Sequence, residues 1–192
     1  MREIGSSYPA LTVLKLTCLF NLNRPEEAFN LSNTLLRNRS AFSSDSKVLL
    51  LRAQCLFSMG DLENSVKHCQ QALRGDPDNS SVRSYYKSVK EVVERKAGGD
   101  SDYKEGQFQS AVAQYTVCID TILGMQGLNV VYVAKILLNR GVCRHKLKKH
   151  EEAVKDFNKA LYYHKTYAKA VVKRGDCFLA MGGVENIQKA IK

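Results

Sequence analysis

The sequence predicts an all-α protein built from repeated helical hairpins, and three observations support this fold class. First, residues 138–143 read Leu-Asn-Arg-Gly-Val-Cys and residues 172–177 read Val-Lys-Arg-Gly-Asp-Cys, an offset of 34 residues. Second, the pair Ala160-Leu161 follows the large residue Phe157 by three positions, which places these side chains on one helical face. Third, the chain holds only three prolines, and apolar residues recur throughout, which leaves little room for disordered linkers.

Each repeat is expected to contain a helix, a short turn and a second helix, because a period of about 34 residues is that of a helix-turn-helix unit. The second helices share a turn, an acid or amide in the first helical turn, and then a small residue. An acid there complements the positive end of the helix dipole. The small residue lets the two helices of a hairpin approach closely. This signature occurs at residues 25–28, 60–65, 106–111 and 150–153.

The repeats divide the chain into two groups. Residues 1–80 are predicted to hold two repeats, 81–95 a connecting helix, and 92–192 three further repeats, the last one incomplete. The repeats are predicted at about 9–42, 46–79, 92–125, 134–167 and 168–192, with an extended connection at 124–129. Solenoids need capping elements at their ends. Because the chain begins and ends inside a repeat, we expect a fragment of a longer protein.

The net charge of +10, from 29 basic and 19 acidic side chains, favours an acidic partner. An acidic peptide tail, nucleic acid or an anionic membrane would each satisfy this charge, and a protein that is merely basic remains an alternative. The basic run at residues 144–150 is the strongest cationic cluster that phosphates could use. No base-stacking aromatic platform is recognisable, which disfavours nucleic acid.

The six cysteines indicate core positions rather than a metal site or disulfides. The sequence has no CxxC or CxxH spacing, and the histidines at 68, 145, 150 and 164 also lack metal spacing. Cys18, Cys55, Cys143 and Cys177 share one position in the first helices of their repeats. We therefore predict that the cysteines are small core residues of a protein in a reducing compartment. This compartment is expected to be the cytoplasm, and a nuclear location is also open. No metal or other cofactor is expected.

The sequence also argues against an enzyme and against a membrane span. It has no glycine-rich phosphate loop, no nucleophile elbow and no acid pair on a helix face, so catalysis is not predicted. No segment reaches 18 uninterrupted apolar residues. Residues 10–20 are apolar apart from an interruption at Lys15. They fit a first-repeat helix better than a secretory signal, because no small-residue cleavage site follows.

With this register, the chain resembles tetratricopeptide co-chaperones over almost its whole length. That resemblance implies a right-handed superhelical solenoid that acts as a protein–protein interaction scaffold. The order of parts is most like the tetratricopeptide region of DnaJ-type proteins, in which two repeats and a bridging helix precede three repeats that bind chaperone tails. The His-Pro-Asp motif of a J domain does not occur here, so such a domain would follow Lys192. The implied partners are the C-terminal tails of seventy- and ninety-kilodalton heat-shock chaperones, with unfolded client segments as a further class.

The family's binding repeats grip a C-terminal Glu-Glu-Val-Asp tail with a carboxylate clamp. Its pattern is Lys-x-x-x-Asn in one first helix, Asn in the next, and Lys-x-x-x-Arg in the third. By resemblance, Lys96, Asn139 and Lys169 match this pattern. Lys173 stands where arginine is usual and loses the bidentate fork. Asp100 stands where asparagine is usual, and an ionised carboxylate only accepts hydrogen bonds.

These departures leave three interpretations open: a clamp of lowered affinity, a clamp lost with the groove used for another acidic or hydrophobic peptide, and a purely structural array. The residues at 98, 99 and 102, which are Gly, Gly and Asp, make the first helix of repeat three the least typical part of the chain. In repeats one and two the clamp positions hold Val13, Thr17 and Leu51. We expect these three to form an apolar lining suited to hydrophobic segments.

Overall fold

The computed structural model describes residues 9–37, 45–125 and 131–191, and all regular structure in these ranges is α-helical. The all-α prediction is therefore confirmed. Gly124 is the last residue of a helix rather than part of an extended connection, and residues 126–129 of that predicted connection lie outside the described ranges. The helices within the described ranges are α1 Pro9–Asn21, α2 Pro25–Arg37, α3 Ser46–Met59, α4 Leu62–Gly75, α5 Ser80–Lys104, α6 Phe108–Gly124, α7 Val131–Lys146, α8 His150–Tyr163, α9 Ala168–Met181 and α10 Val184–Ile191.

The described chain divides into two compact units. The first holds α1 to α4 and the part of α5 that ends at Lys90, and the second holds the rest of α5, from Glu91, and α6 to α10. The segment predicted as a connecting helix at 81–95 and the first helix of repeat three form one continuous helix of 25 residues. No proline interrupts this stretch, so nothing in it breaks the ladder of helical hydrogen bonds.

The hairpin turns share one backbone feature, a residue with positive φ directly after or near the end of the first helix. In the first four turns, the amides of this residue and of the next donate to carbonyls three and five residues earlier, which ends the helix in a Schellman motif. The left-handed conformation suits glycine, which has no Cβ. The residues are Asn23 (φ 62°), Gly60 (89°), Gly106 (76°), Lys148 (61°) and Gly182 (67°).

Lys148→Gly is expected to stabilise the second unit by about 0.5–1 kcal/mol. A residue with a Cβ is strained in the left-handed conformation, and glycine removes that strain from the folded state. Part of this gain is lost, because glycine also raises the conformational entropy of the unfolded chain. Urea denaturation followed by circular dichroism measures the change. Lys148→Ala is the control, because it removes the same charge but keeps a Cβ at the residue with φ of 61°, so it should not stabilise. A loss of stability in Lys148→Gly would contradict this account of the turn.

Glycines in the first helices make room for aromatic rings on the second helices. A Cβ on Gly141 would lie 2.6 Å from the Phe157 ring, and one on Gly99 would lie 2.8 Å from the Tyr115 ring. Both rings are buried. Gly99 therefore has a packing role that offsets the cost of glycine in a helix interior, about 1 kcal/mol.

A recurring arginine joins successive hairpins. It lies in the first helix and donates a hydrogen bond to a polar side chain on the second helix of the preceding hairpin. The signal is visible in the repeated motif, because this arginine directly precedes Ala53, Gly141 and Gly175. The pairs are Arg52–Asn33 (2.6 Å), Arg140–Thr116 (3.1 Å) and Arg174–Asn158 (3.0 Å).

In the second unit this arginine also forms a buried ion pair within its own hairpin. Nε and Nη2 of Arg140 donate to the two carboxylate oxygens of Asp156 at 3.0 and 2.7 Å. Arg144 donates to the same carboxylate at 2.7 Å. Asp156 is only 1% exposed. The bidentate geometry, with every charge paired, is the arrangement in which a buried ion pair holds two helices in a fixed register.

All six cysteines are free thiols, and five of them are buried. Burial penalises the thiolate, so the pKa of each buried thiol is raised: to about 12 for Cys55, Cys69 and Cys118, and to about 11 for Cys143 and Cys177. These side chains are core residues that stay protonated near neutral pH.

Cys18 departs from the predicted core position, because it is exposed. On α1 it lies two residues from both Leu16 and Phe20, the buried residues that face the core, so it projects from the opposite side of the helix. Among the described helices, α1 packs against α2 and α3, whereas α3, which carries Cys55, packs against α1, α2 and α4.

The predicted apolar lining of the first unit is wrong for Leu51. This residue is 8% exposed and belongs to the core that also contains Leu16 and Phe20. Val13 packs against the same core, and the Thr17 hydroxyl donates to the Val13 carbonyl at 2.9 Å. These side chains are used inside the fold, because α1 and α3 lie directly against one another.

Candidate functional site

The five predicted clamp residues all lie on first helices of the second unit. Lys96 and Asp100 are on α5, Asn139 is on α7, and Lys169 and Lys173 are on α9. Three of them line one cavity of about 510 Å³, whereas Lys96 and Lys169 are not among its lining residues. The lining residues are Asp100, Tyr103, Lys104, Tyr115, Asn139, Val142 and Lys173.

Asp100, the residue that departs most from the clamp pattern, is paired inside the protein. Its Oδ2 accepts from Nζ of Lys96 at 2.5 Å, and its Oδ1 accepts from the hydroxyl of Tyr115 at 2.7 Å. Burial, and then the hydrogen bond to this carboxylate, raise the pKa of Tyr115 well above its usual value. Both carboxylate oxygens are therefore engaged, and the adjacent lysine offsets the negative charge that would otherwise repel an acidic ligand.

The two lysines of α9 differ in their pairing. Nζ of Lys173 donates to Asp176 at 2.8 Å, and this hydrogen bond raises the pKa of Lys173. Lys169 is exposed, and neither it nor Lys104 has an ion-pair partner within the described ranges. Lys104 and Lys169 are thus the cations near this region that a ligand carboxylate could engage without displacing an internal partner.

Sequence reasoning missed four residues of this cavity: Tyr103, Lys104, Tyr115 and Val142. A signal existed for Lys104, because it follows Asp100 by four residues and therefore lies on the same face of α5. Tyr115 lies on a second helix, and only the packing of its ring against Gly99 brings its hydroxyl to Asp100.

The basic run at 144–150 is partly used within the fold. Arg144 binds Asp156 and also approaches Glu152 at 3.3 Å. His145 contacts His150 and Cys177. Lys146, Lys148 and Lys149 remain exposed. The run therefore offers phosphates fewer cations than its sequence indicates.

Two of the four histidines, which lack metal spacing along the chain, lie close to a cysteine in space. His145 at the end of α7, His150 at the start of α8 and Cys177 on α9 each offer a ligand atom, and these atoms lie within 4.8 Å of one another. The spacing of five and then 27 residues along the chain gave no such signal. Packing of three successive helices creates the cluster.

Within the described ranges, no helix combines the length and the apolar character needed to cross a membrane.

Comparisons with known proteins agree with the helical-hairpin fold. Family models described as tetratricopeptide repeat match residues 17–80 and 134–167, together about half of the chain. The chain is 30% identical over 190 residues to DnaJ homolog subfamily C member 7 of Homo sapiens, and equally to that of Mus musculus. Each match covers 99% of this chain and 36% of the relative, so the chain spans about a third of their length.

A relative from Schizosaccharomyces pombe, a homolog of the same DnaJ protein, is 27% identical over 150 residues, which cover 76% of this chain and 31% of that protein. Among solved structures, the crystal structure of the P58(IPK) TPR domain superposes with a TM-score of 0.74 at 19% identity. It covers 95% of this chain and 48% of that chain. This structural likeness supports the fold.

Proposed function

Because this chain belongs to the tetratricopeptide-repeat family, we propose that its second unit binds the free C-terminal acidic tail of heat-shock chaperones of the seventy- and ninety-kilodalton classes. The chain is a protein–protein interaction scaffold related to DnaJ-type co-chaperones. The tail is held by a degenerate carboxylate clamp that comprises Lys96, Asp100, Asn139, Lys169 and Lys173. The free thiols are consistent with a reducing, cytoplasmic setting.

The observation that supports this proposal most is the cavity that gathers Asn139, Lys104 and Lys173 beside a neutralised Asp100. A C-terminal aspartate carries two carboxylates, and each needs charge-assisted donors to leave water. The lysines supply ammonium donors, and Asn139 supplies a neutral amide donor.

The remaining lining suits the residue that precedes a terminal aspartate. Tyr103, Tyr115 and Val142 give the cavity apolar surface next to the cations. Burial of a valine-sized side chain there would contribute about 1.5 kcal/mol or more. A tail that ends in an apolar residue and then an aspartate therefore matches both chemistries of the cavity.

Lys169→Ala is expected to weaken binding of a peptide ending in Glu-Glu-Val-Asp by about tenfold. This corresponds to the loss of one charge-assisted hydrogen bond, about 1.5 kcal/mol. Fluorescence anisotropy of a labelled peptide measures the change. Lys159→Ala is the control, because it removes the same charge from an exposed site on α8. A similar loss in both variants would indicate general charge attraction.

The same titration with an amidated peptide tests the proposal as a whole. The amide removes the terminal carboxylate and keeps every other contact, so affinity should fall by at least about tenfold. Equal binding of the free and amidated forms would exclude a carboxylate clamp. The groove would then serve a different acidic or hydrophobic segment.

A further inference from the structure

His145, His150 and Cys177 bring three metal-binding atoms together in the second unit. The Nδ1 atoms of His145 and His150 lie 3.1 Å apart, and Nδ1 of His145 lies 3.1 Å from Sγ of Cys177. The ring centroids of the two histidines are 4.8 Å apart. Cys177 is buried, and both histidines are partly buried. None of these three residues lines the cavity assigned to the peptide.

Hydrogen bonding alone satisfies this arrangement poorly. Nδ1 of His145 carries either one proton or one in-plane lone pair, so it can make one full hydrogen bond, yet two polar atoms approach it at 3.1 Å. A cation placed between the three atoms would accept a lone pair from each of them. The convergence of two imidazole nitrogens and one sulfur is thus a donor set that suits a metal ion.

The distances between the donors identify the class of metal. Tetrahedral zinc has Zn–N bonds of about 2.0–2.1 Å and Zn–S bonds of about 2.3 Å, which separate two nitrogens by about 3.3 Å and a nitrogen from a sulfur by about 3.5 Å. Both distances at His145 are a few tenths of an ångström shorter, and the three donor atoms lie within 4.8 Å of one another. Small side-chain rotations would bring them to the separations that zinc requires. Mixed imidazole and thiolate ligands favour zinc over magnesium or calcium, which take oxygen ligands.

The charges around the cluster favour an unprotonated His145. Burial, then His150, and then Lys173 and Lys146 lower the pKa of His145, while Asp176 acts in the opposite direction. The neutral form is the one that binds a metal. The pKa of the Cys177 thiol is raised to about 11 by burial, so the metal must displace its proton, as metals do with coordinating thiols.

Room exists for a fourth ligand. A cleft of about 340 Å³ adjoins His150 and is also lined by Glu151, Glu152 and Met181, together with Lys148 and Lys149. A water molecule in this cleft would supply the fourth ligand of a bound metal. Three protein ligands and one water give an open site rather than a closed structural one.

We propose that His145, His150 and Cys177 form a zinc site that joins the ends of α7 and α8 to α9. Zinc bound there crosslinks three helices of two successive hairpins, so it stabilises the folded state by mass action.

The test is a titration of the reduced, metal-free 192-residue chain with zinc, followed by competition against a chromogenic chelator. We expect one zinc per chain. Cobalt substituted for zinc should give a thiolate-to-cobalt charge-transfer band in the near ultraviolet, which requires the Cys177 sulfur. His150→Ala and Cys177→Ala should each weaken zinc binding more than about tenfold.

Two control variants have the same residue types at other sites. His164→Ala removes a histidine outside the cluster, and Cys143→Ala removes a buried cysteine at the corresponding repeat position. Both should keep the stoichiometry and the cobalt band. Circular dichroism of the metal-free variants establishes that they fold, and zinc-induced thermal stabilisation gives a second readout. A wild-type chain that binds no zinc, or one whose cobalt band survives in Cys177→Ala, would overturn the proposal.

Discussion

Asp156→Ala is expected to destabilise the second unit by about 3–5 kcal/mol and to lower its melting temperature by about 10 °C or more. Asp156 is 1% exposed and accepts hydrogen bonds from both Arg140 and Arg144. Its removal leaves the Arg140 guanidinium, itself 8% exposed, without a counter-charge in the interior. The cost of that unpaired buried charge is the main source of the predicted loss.

Glu152→Ala is the matched control for Asp156→Ala. Glu152 lies on the same helix and pairs with Arg144 at 3.3 Å, but its side chain is 47% exposed. Solvent screens this pair, so its removal should cost less than about 1 kcal/mol. Guanidinium chloride denaturation of both variants gives the two values. A loss below about 1 kcal/mol in Asp156→Ala would show that the Arg140 pair does not hold α7 and α8 together.

Replacement of both partners separates the charge effect from packing. The double variant Arg140→Met, Asp156→Leu removes the ion pair of Arg140, and Arg144, whose side chain is 19% exposed, keeps Glu152 as its partner. Apolar replacement of buried pairs is often neutral or stabilising, so this variant should recover most of the stability lost in Asp156→Ala. Thr116 would lose its arginine donor, but water can reach this partly buried hydroxyl.

Asp100→Asn is expected to strengthen binding of the Glu-Glu-Val-Asp peptide by about tenfold to thirtyfold. The variant removes a negative charge that lines the cavity and places an amide donor there, and it releases the neighbouring Lys96 from its ion pair. The amide oxygen of asparagine still accepts from the Tyr115 hydroxyl. The lost Lys96 pair is about one third exposed and is worth less than about 1 kcal/mol to the fold.

Asp102→Asn is the control for this change in charge. Asp102 lies on the same helix and accepts from Ser110 at 2.6 Å, and it does not line the cavity. Its substitution should change peptide affinity less than about twofold, because it alters only the screened, long-range interaction between the protein and the acidic peptide. If Asp100→Asn weakens binding while the fold is intact, then Asp100 contacts a donor on a different ligand, and the carboxylate-clamp proposal fails.

The repeat pattern predicted the elements that local physics controls. Spacing of about 34 residues and the small residue of each second helix predicted the helical hairpins, because helix formation and hairpin turns depend on nearby residues. Glycine at 60, 106 and 182 marks turns in the left-handed conformation. The merger of the predicted connecting helix with the next helix into α5 was missed, because the pattern marked repeat boundaries there and not breaks in the helix.

The candidate site was predictable only in part. The resemblance placed Asp100, Asn139 and Lys173 at related repeat positions, and these residues line one cavity. The pairing of Asp100 with Tyr115 depends on a contact between two different helices. The burial of Leu51 in the core of the first unit also depends on contacts between helices. The pattern of one helix does not show whether an apolar residue faces the core or a groove.

The sequence by itself therefore determined the all-α class and the helical hairpins. These follow from periodicity, turn chemistry and helix-dipole preferences, all of which act over a few residues. Only the tertiary structure decided which charges are neutralised, as in Lys96–Asp100, and which distant side chains meet, as in His145, His150 and Cys177. Charge pairing and coordination act over a few ångströms in space. Residues from different helices reach those distances only when the hairpins pack.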